Sequence, residues 1–233
     1  MKTVANLKLT LGFMIACSLF GSLVVLLMVT SARATTTQDY FWRKPLVGSI
    51  FLLICFGGSL VAVSPRNCSR AHETHMVETL TDSNAGTGSS VSSEGHHPNC
   101  GRFSAHTIAV KGKTYCAACT GLLIGGVAAM IVTALHFFFG LNSDPVSFPA
   151  IVVGQLGLGL GLIQSKFTGW IRSAANLLFV LGGSFMLVGT DQLACSVFID
   201  GYVTGLVLLW ILTRIMISQW DHHEICIGCG FSC

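Results

Sequence analysis

Cysteine and histidine, the side chains here best suited to metal or redox chemistry, gather in two short stretches of the 233-residue sequence. The first holds His96, His97, Cys100 and His106 and ends in Cys116-Ala117-Ala118-Cys119. Residues 106–115 read as a β-hairpin turning at Lys111-Gly112-Lys113, because a glycine turn separates two short runs rich in strand-forming residues. Such a hairpin delivers Cys116 and Cys119 to the start of an apolar helix. Thiols three apart in a first helical turn share one face and can chelate one ion. The positive end of the helix favours the thiolate that metal binding requires. A hairpin leading into Cys-x-x-Cys at a helix start is how treble-clef-like zinc sites are assembled. Cys100 and His106 are the natural remaining ligands of a three-cysteine, one-histidine site, with His97 or His96 as substitutes. A redox Cys-x-x-Cys and an inert cluster are the competing readings of the same residues.

The second stretch is C-terminal. Cys226 and Cys229 form another Cys-x-x-Cys, with Gly228 and Gly230 easing a knuckle-like turn, and His222 or His223 with Cys233 could complete a tetrahedral site. The two stretches could instead share one zinc ion or hold an iron–sulfur cluster, which also takes four cysteines. A disordered tail is the bland alternative. Cys68, His72 and His75, at i, i+4 and i+7, form a weaker third group that an amphipathic surface helix explains equally well.

The elements that must position these residues are membrane helices. The chain is 52% hydrophobic and only 10% charged, against roughly 25% charged in soluble domains. Six segments approach the ~20 apolar residues that cross a bilayer: 9–29, 45–63, 119–140, 148–163, 174–190 and 193–217. The fourth and fifth are short, and only Asp191 and Gln192 separate the fifth from the sixth. Residues 32–34 resemble a signal-peptide cleavage site, but the apolar run before them exceeds a signal core, so a retained first helix is expected. Residues 81–95 read as a flexible polar linker. The expected organisation is thus two N-terminal helices (1–64), a polar loop (65–95), a Cys/His module (96–121), a four-helix bundle (122–218) and a Cys/His-rich tail (219–233).

Six spans put both termini on one side, together with the 64–118 loop. That side carries ten lysines and arginines, and the other only Arg33, Arg43 and Lys44. Basic residues favour the cytoplasm, so the reading is a multi-pass plasma-membrane protein with both termini cytoplasmic. All the cysteines and histidines except Cys17, Cys55, His136 and Cys195 fall on that side. In a reducing compartment, metal binding or redox activity is a better account of them than structural disulfides. The remaining polar residues have plainer readings. Asp191 and Asp200 flank the last turn, where an intramembrane acid is a functional candidate unless it lies at the outer interface. His136 reads as a bland helix-end residue, and Gln155 with Arg172 as a packing contact. The pairs Gly121/Gly125, Gly157/Gly161 and Gly201/Gly205 have the spacing of close helix packing.

Cys100, Arg102, Phe103, Gly112, Cys116, Cys119, Thr120, Gly121, Leu122 and Gly125 together form a pattern similar to one family of uncharacterised small prokaryotic membrane proteins. The resemblance implies a multi-helix bundle with a metal-binding cysteine motif and no assigned activity. It covers about a tenth of the chain. It departs where family members tend to show Cys-His, since Gly101 follows Cys100 here.

These features point to an all-α membrane bundle with a small Cys/His hairpin module. The leading expectation is bound zinc at the cytoplasmic face, in a structural or partner-docking role within a membrane complex or homo-oligomer. The alternative is a membrane thiol–disulfide oxidoreductase that passes electrons to a quinone. Metal transport ranks lower, because no span carries paired ligands. A formal charge of +3 without a basic, aromatic-interleaved run sets nucleic acid aside. The absence of H-E-x-x-H and G-x-S-x-G sets hydrolases aside.

Overall fold

Apolar runs of twenty or so residues fold as helices wherever water is excluded, because a helix satisfies its own backbone polar groups. The computed structural model describes residues 2–31, 41–63, 93–94, 97–98, 101–141 and 146–229. Its six α-helices are α1 (Lys2–Ser31), α2 (Arg43–Val63), α3 (Ala117–Phe137), α4 (Ser147–Leu162), α5 (Gly169–Ala194) and α6 (Val197–Cys229). All but α4 are long and apolar enough to cross a membrane. The chain therefore has the make-up of a membrane protein, and Phe13, Phe20, Leu53, Val61 and Leu156 point outward from the bundle.

Helix α4 has 16 residues, about 24 Å at 1.5 Å per residue. It still joins the two ends of the bundle. Ser147 at its start donates to Gln192 at the end of α5, while Gln164 just beyond it accepts from Arg214 of α6. Helix α5 is the centre, packed on α3 and α4, with α2 against α3 and α1 against α6. Phe51, Leu158, Phe179, Met186, Val203 and Trp210 form the core between them.

Glycines set the tightest approaches. A Cβ on Gly157 would stand 2.5 Å from the Leu178 carbonyl oxygen, and Gly121 and Gly125 abut the Ser173 and Leu177 carbonyls in the same way. Gly161 lies against the Phe179 ring. The third expected pair behaves differently, since nothing lies within 4 Å of a Cβ on Gly201 or Gly205.

The expected hairpin is present. Strand β3 (Thr107–Val110) pairs antiparallel with β4 (Lys113–Cys116), with Thr107 opposite Cys116. Lys111 and Gly112, at φ 50° and 77°, make the two-residue turn. Positive φ at both positions matches the right-handed twist of the strands. A 3-10 helix, Gly101–His106, leads into β3, and β1 (Ser93–Glu94) pairs with β2 (His97–Pro98) ahead of it.

Two boundaries differ from the sequence reading. The break before the last helix falls at Cys195, in the left-handed region at φ 45°, not at Asp191 and Gln192. The polarity of those two residues marks a buried cluster, not a turn. The segment from residue 219 is also no separate tail, because α6 runs unbroken to Cys229. The expected knuckle at Gly228 is helical instead. Cys68, His72, His75 and residues 81–92 of the expected linker lie outside the described residues.

Candidate functional site

The hairpin end of the bundle is built by three elements. Strand β4 ends at Cys116, the N-cap of α3, and Cys119 sits in the first turn. Both are half-buried thiols. Thr120 donates to the Cys116 carbonyl at 3.0 Å, fixing that turn. The first turn of α5 contributes Arg172, and α6 contributes Arg214, Asp221 and His222.

Two buried arginines organise this end. Arg172, 2% exposed, donates from one terminal nitrogen to His106 Nε2 at 3.0 Å and from the other to Asp221 Oδ2 at 3.2 Å. A guanidinium can only donate. His106 Nε2 is therefore an acceptor, and the imidazole carries its proton on Nδ1. His222 lies beside it, with ring centroids 5.8 Å apart.

Arg214, 8% exposed, donates through Nε to Asn176 Oδ1 at 3.1 Å and through NH2 to the same oxygen and to Gln164 Oε1 at 3.3 Å. It also lies 5.6 Å over the Phe179 ring. The ionisable groups within charge–charge range of it are Cys119, Arg172 and Cys116. Its hydrogen-bond acceptors are neutral amides. Among the described residues, no carboxylate hydrogen-bonds Arg214.

The bundle also holds an apolar cavity of about 240 Å³, which neither Cys116 nor Cys119 lines. Phe51, Cys55, Leu122, Gly183 and Val207 line it, and Arg214 is its charged wall. Leu122 is one helical turn beyond Cys119. Val61 of α2 and Ile215 of α6 also line the cavity, and both are exposed on the outer surface of the bundle.

Not all the expected ligands come together. His106 is turned to Arg172, and among the described residues no three of His, Cys, Asp and Glu are grouped to hold a metal ion. His223 is exposed. Helix α6 advances about 1.5 Å per residue, so Cys226 and Cys229 lie roughly 18 and 22 Å along it beyond Arg214. Positions 222, 226 and 229 share one face of α6 by their spacing. Cys100, Cys233 and the side chains of His97, Cys226 and Cys229 lie outside what the structure describes.

The opposite end holds a second cluster that sequence reasoning undervalued. Arg43 NH1 donates to Asp191 Oδ1 and, at 2.5 Å, to Asp200 Oδ2. His136 Nε2 bonds Asp191 Oδ2 at 2.7 Å, and its Nδ1 bonds the Leu141 carbonyl at 3.1 Å. The His136 ring thus bridges the Asp191 carboxylate and the Leu141 carbonyl, with the Gln192 amide 3.4 Å from Nδ1. All four side chains are nearly inaccessible, so the acids are buried among the helices and His136 is not a lone residue. Gln155 likewise does not meet Arg172 but donates to the Ser22 carbonyl at 2.9 Å. The available signal was that Arg43, His136, Asp191 and Asp200 all sit at helix ends on one predicted side.

No family model, curated protein or solved structure matches this chain.

Proposed function

We propose that Cys116 and Cys119 form a dithiol centre that exchanges with disulfides at the membrane surface. The observation that supports it is the placement of both thiols within charge range of Arg214, a buried cation held otherwise by neutral amides. A cation and a helix N-terminus acting together favour the thiolate, the attacking species in exchange. Side chains three apart on a helix face are about 5–6 Å apart at Cβ. A modest adjustment of the first turn brings them to the ~4 Å of a disulfide. On the sidedness read from the basic residues the pair faces the cytoplasm, where it rests as the dithiol and is recharged by soluble thiols.

The second reading is zinc. The gathering of His106, Cys116, Cys119 and His222 at one end of the bundle favours it. Cys116 and Cys119 would supply thiolates, with Cys100, His97 or His106 completing a closed structural site that stabilises the cytoplasmic face or docks a partner. His106 would have to exchange its Arg172 bond or bind through Nδ1. Positions 222, 226 and 229, with His223 or Cys233, would make a separate site on α6. An iron–sulfur cluster would need the same thiols.

Two measurements on detergent-purified protein separate the readings. Equilibration in glutathione redox buffers should give a Cys116–Cys119 disulfide with a defined midpoint potential. Stoichiometric zinc, with thiols that react only after chelation, would refute the exchange reading and establish the metal one.

A further inference from the structure

We infer that the apolar cavity beside the dithiol is the site of a membrane-dissolved quinone that takes electrons from Cys116 and Cys119. This rests on the dithiol reading and names its electron acceptor.

Size and access come first. The cavity measures about 240 Å³, and one of about 150 Å³ holds a benzene ring. A substituted ring therefore fits and a long tail does not. Val61 and Ile215 mark the way out, because both line the cavity and are exposed on the outer surface of the bundle. A ring can sit inside with its tail leaving between α2 and α6, so the molecule enters from the bilayer.

Polarity comes second. The walls are apolar apart from Arg214 and Ser59, whose hydroxyl is bonded to the Cys55 carbonyl, so the occupant needs an apolar body and an oxygen acceptor at one end. Arg214 commits Nε and NH2 to Asn176 and Gln164. A guanidinium is planar, so those bonds fix the direction of the remaining nitrogen, NH1. That nitrogen bonds no described residue and can donate to a quinone carbonyl. The same bond strengthens as negative charge develops on that oxygen during reduction.

Chemistry comes third. Arg214 is within charge range of both thiols, and Leu122 of the cavity wall follows Cys119 by one turn. A two-electron donor thus lies one helical turn from the wall of a site shaped for a two-electron acceptor, and the thiols reach the ring past Leu122 and Arg214. In the overall step both S–H bonds break and one S–S bond forms. The two electrons and two protons pass to the quinone, giving the quinol. A soluble dithiol then reduces the disulfide by exchange. A fatty carboxylate would fit the same walls but accepts no electrons.

The probe is a fully ring-substituted benzoquinone with a decyl tail, which does not arylate thiols, added to the reduced full-length protein in detergent. We expect about one quinone reduced per Cys116–Cys119 pair, and slower alkylation of Cys55 by a membrane-permeant maleimide, read at the peptide level. Gly183→Leu should cut both effects at least tenfold while leaving exchange with glutathione disulfide intact. A Cβ on Gly183 meets only ordinary contacts, 3.4 Å to Val207 and 3.7 Å to Phe51, so the leucine body fills the cavity. If Gly183→Leu does not fold, Cys55 protection in the unmodified protein decides. Exchange without quinone reduction or Cys55 protection overturns this inference and leaves the dithiol centre standing. Oleate protecting Cys55 as well as the quinone, with no quinone reduced, also overturns it and makes the cavity an acyl-chain site. Loss of both exchange and quinone reduction removes the dithiol reading along with it.

Discussion

Replacing Arg43 by methionine tests whether the buried charges are paired as drawn. Arg43 is 1% exposed, and Asp191 and Asp200 are both 0% exposed. The substitution keeps most of the side-chain volume and leaves two carboxylates without their shared cation. Breaking a buried pair in this way costs about 3–5 kcal/mol. Lys44 also lies in charge range of Asp191 and is partly exposed, which favours the lower end. A chain of this size shifts its midpoint by roughly 2–4 °C per kcal/mol, so Arg43→Met should lower thermal stability in detergent by about 6–20 °C. The sign of the coupling is the sharper test. Adding Asp200→Asn removes one of the stranded charges and should return part of the loss, although Asp200→Asn alone, in the presence of Arg43, destabilises. Simple additivity in that double-mutant cycle would refute the pairing.

Three further outcomes follow from particular contacts. Gly157→Val should separate α4 from α5 and cost about 1–3 kcal/mol by overpacking, whereas Gly201→Ala, where a Cβ meets nothing within 4 Å, should leave the unfolding midpoint unchanged or slightly raised; equal losses in the two would refute the close approach. Gly112→Ala, at φ 77°, should destabilise the hairpin by about 1–2 kcal/mol and speed proteolysis at residues 107–116, while Lys111→Asn should slow it. Arg214→Gln should slow iodoacetamide alkylation of Cys119 at pH 7 several-fold as its thiolate fraction falls, and an unchanged rate would show that Arg214 does not govern the thiol.

The membrane helices and the hairpin were legible because each is a local property. Apolar run length marks a span, and Lys111-Gly112 between strand-forming runs marks a turn. Cys116 and Cys119 were equally legible, since their meeting at a helix start needs only the spacing within one element. What was not legible depends on helix rotation and on pairings between distant elements. Asp191 and Gln192 look like a turn in one dimension, and only three-dimensional packing shows their side chains held by Arg43, His136 and Ser147. The C-terminal Cys-x-x-Cys looked like a knuckle because of its glycines, yet the backbone continues α6 through it, as a glycine in a helix costs only about 1 kcal/mol. The bond of His106 Nε2 to Arg172, sixty-six positions away, was likewise not legible from its neighbours in sequence.

The three buried arginines among the described residues tell the two ends of the bundle apart. Arg43 meets two carboxylates, one of which also binds His136, so its charge is answered within the fold. Arg172 meets Asp221. Both are what a stable bundle requires, since an unanswered cation in an apolar interior costs several kcal/mol. Arg214 breaks the pattern, because its hydrogen bonds go to neutral amides and the anions in its range exist only if Cys116 or Cys119 ionises. On the proposed dithiol reading, the neutralisation of its charge would depend on the state of the thiols. Oxidising the pair to a disulfide removes the thiolate and leaves Arg214 to a ligand in the cavity it lines. On the dithiol reading proposed above, a cation whose counter-charge vanishes on oxidation would couple the redox state of the thiols to what the cavity holds.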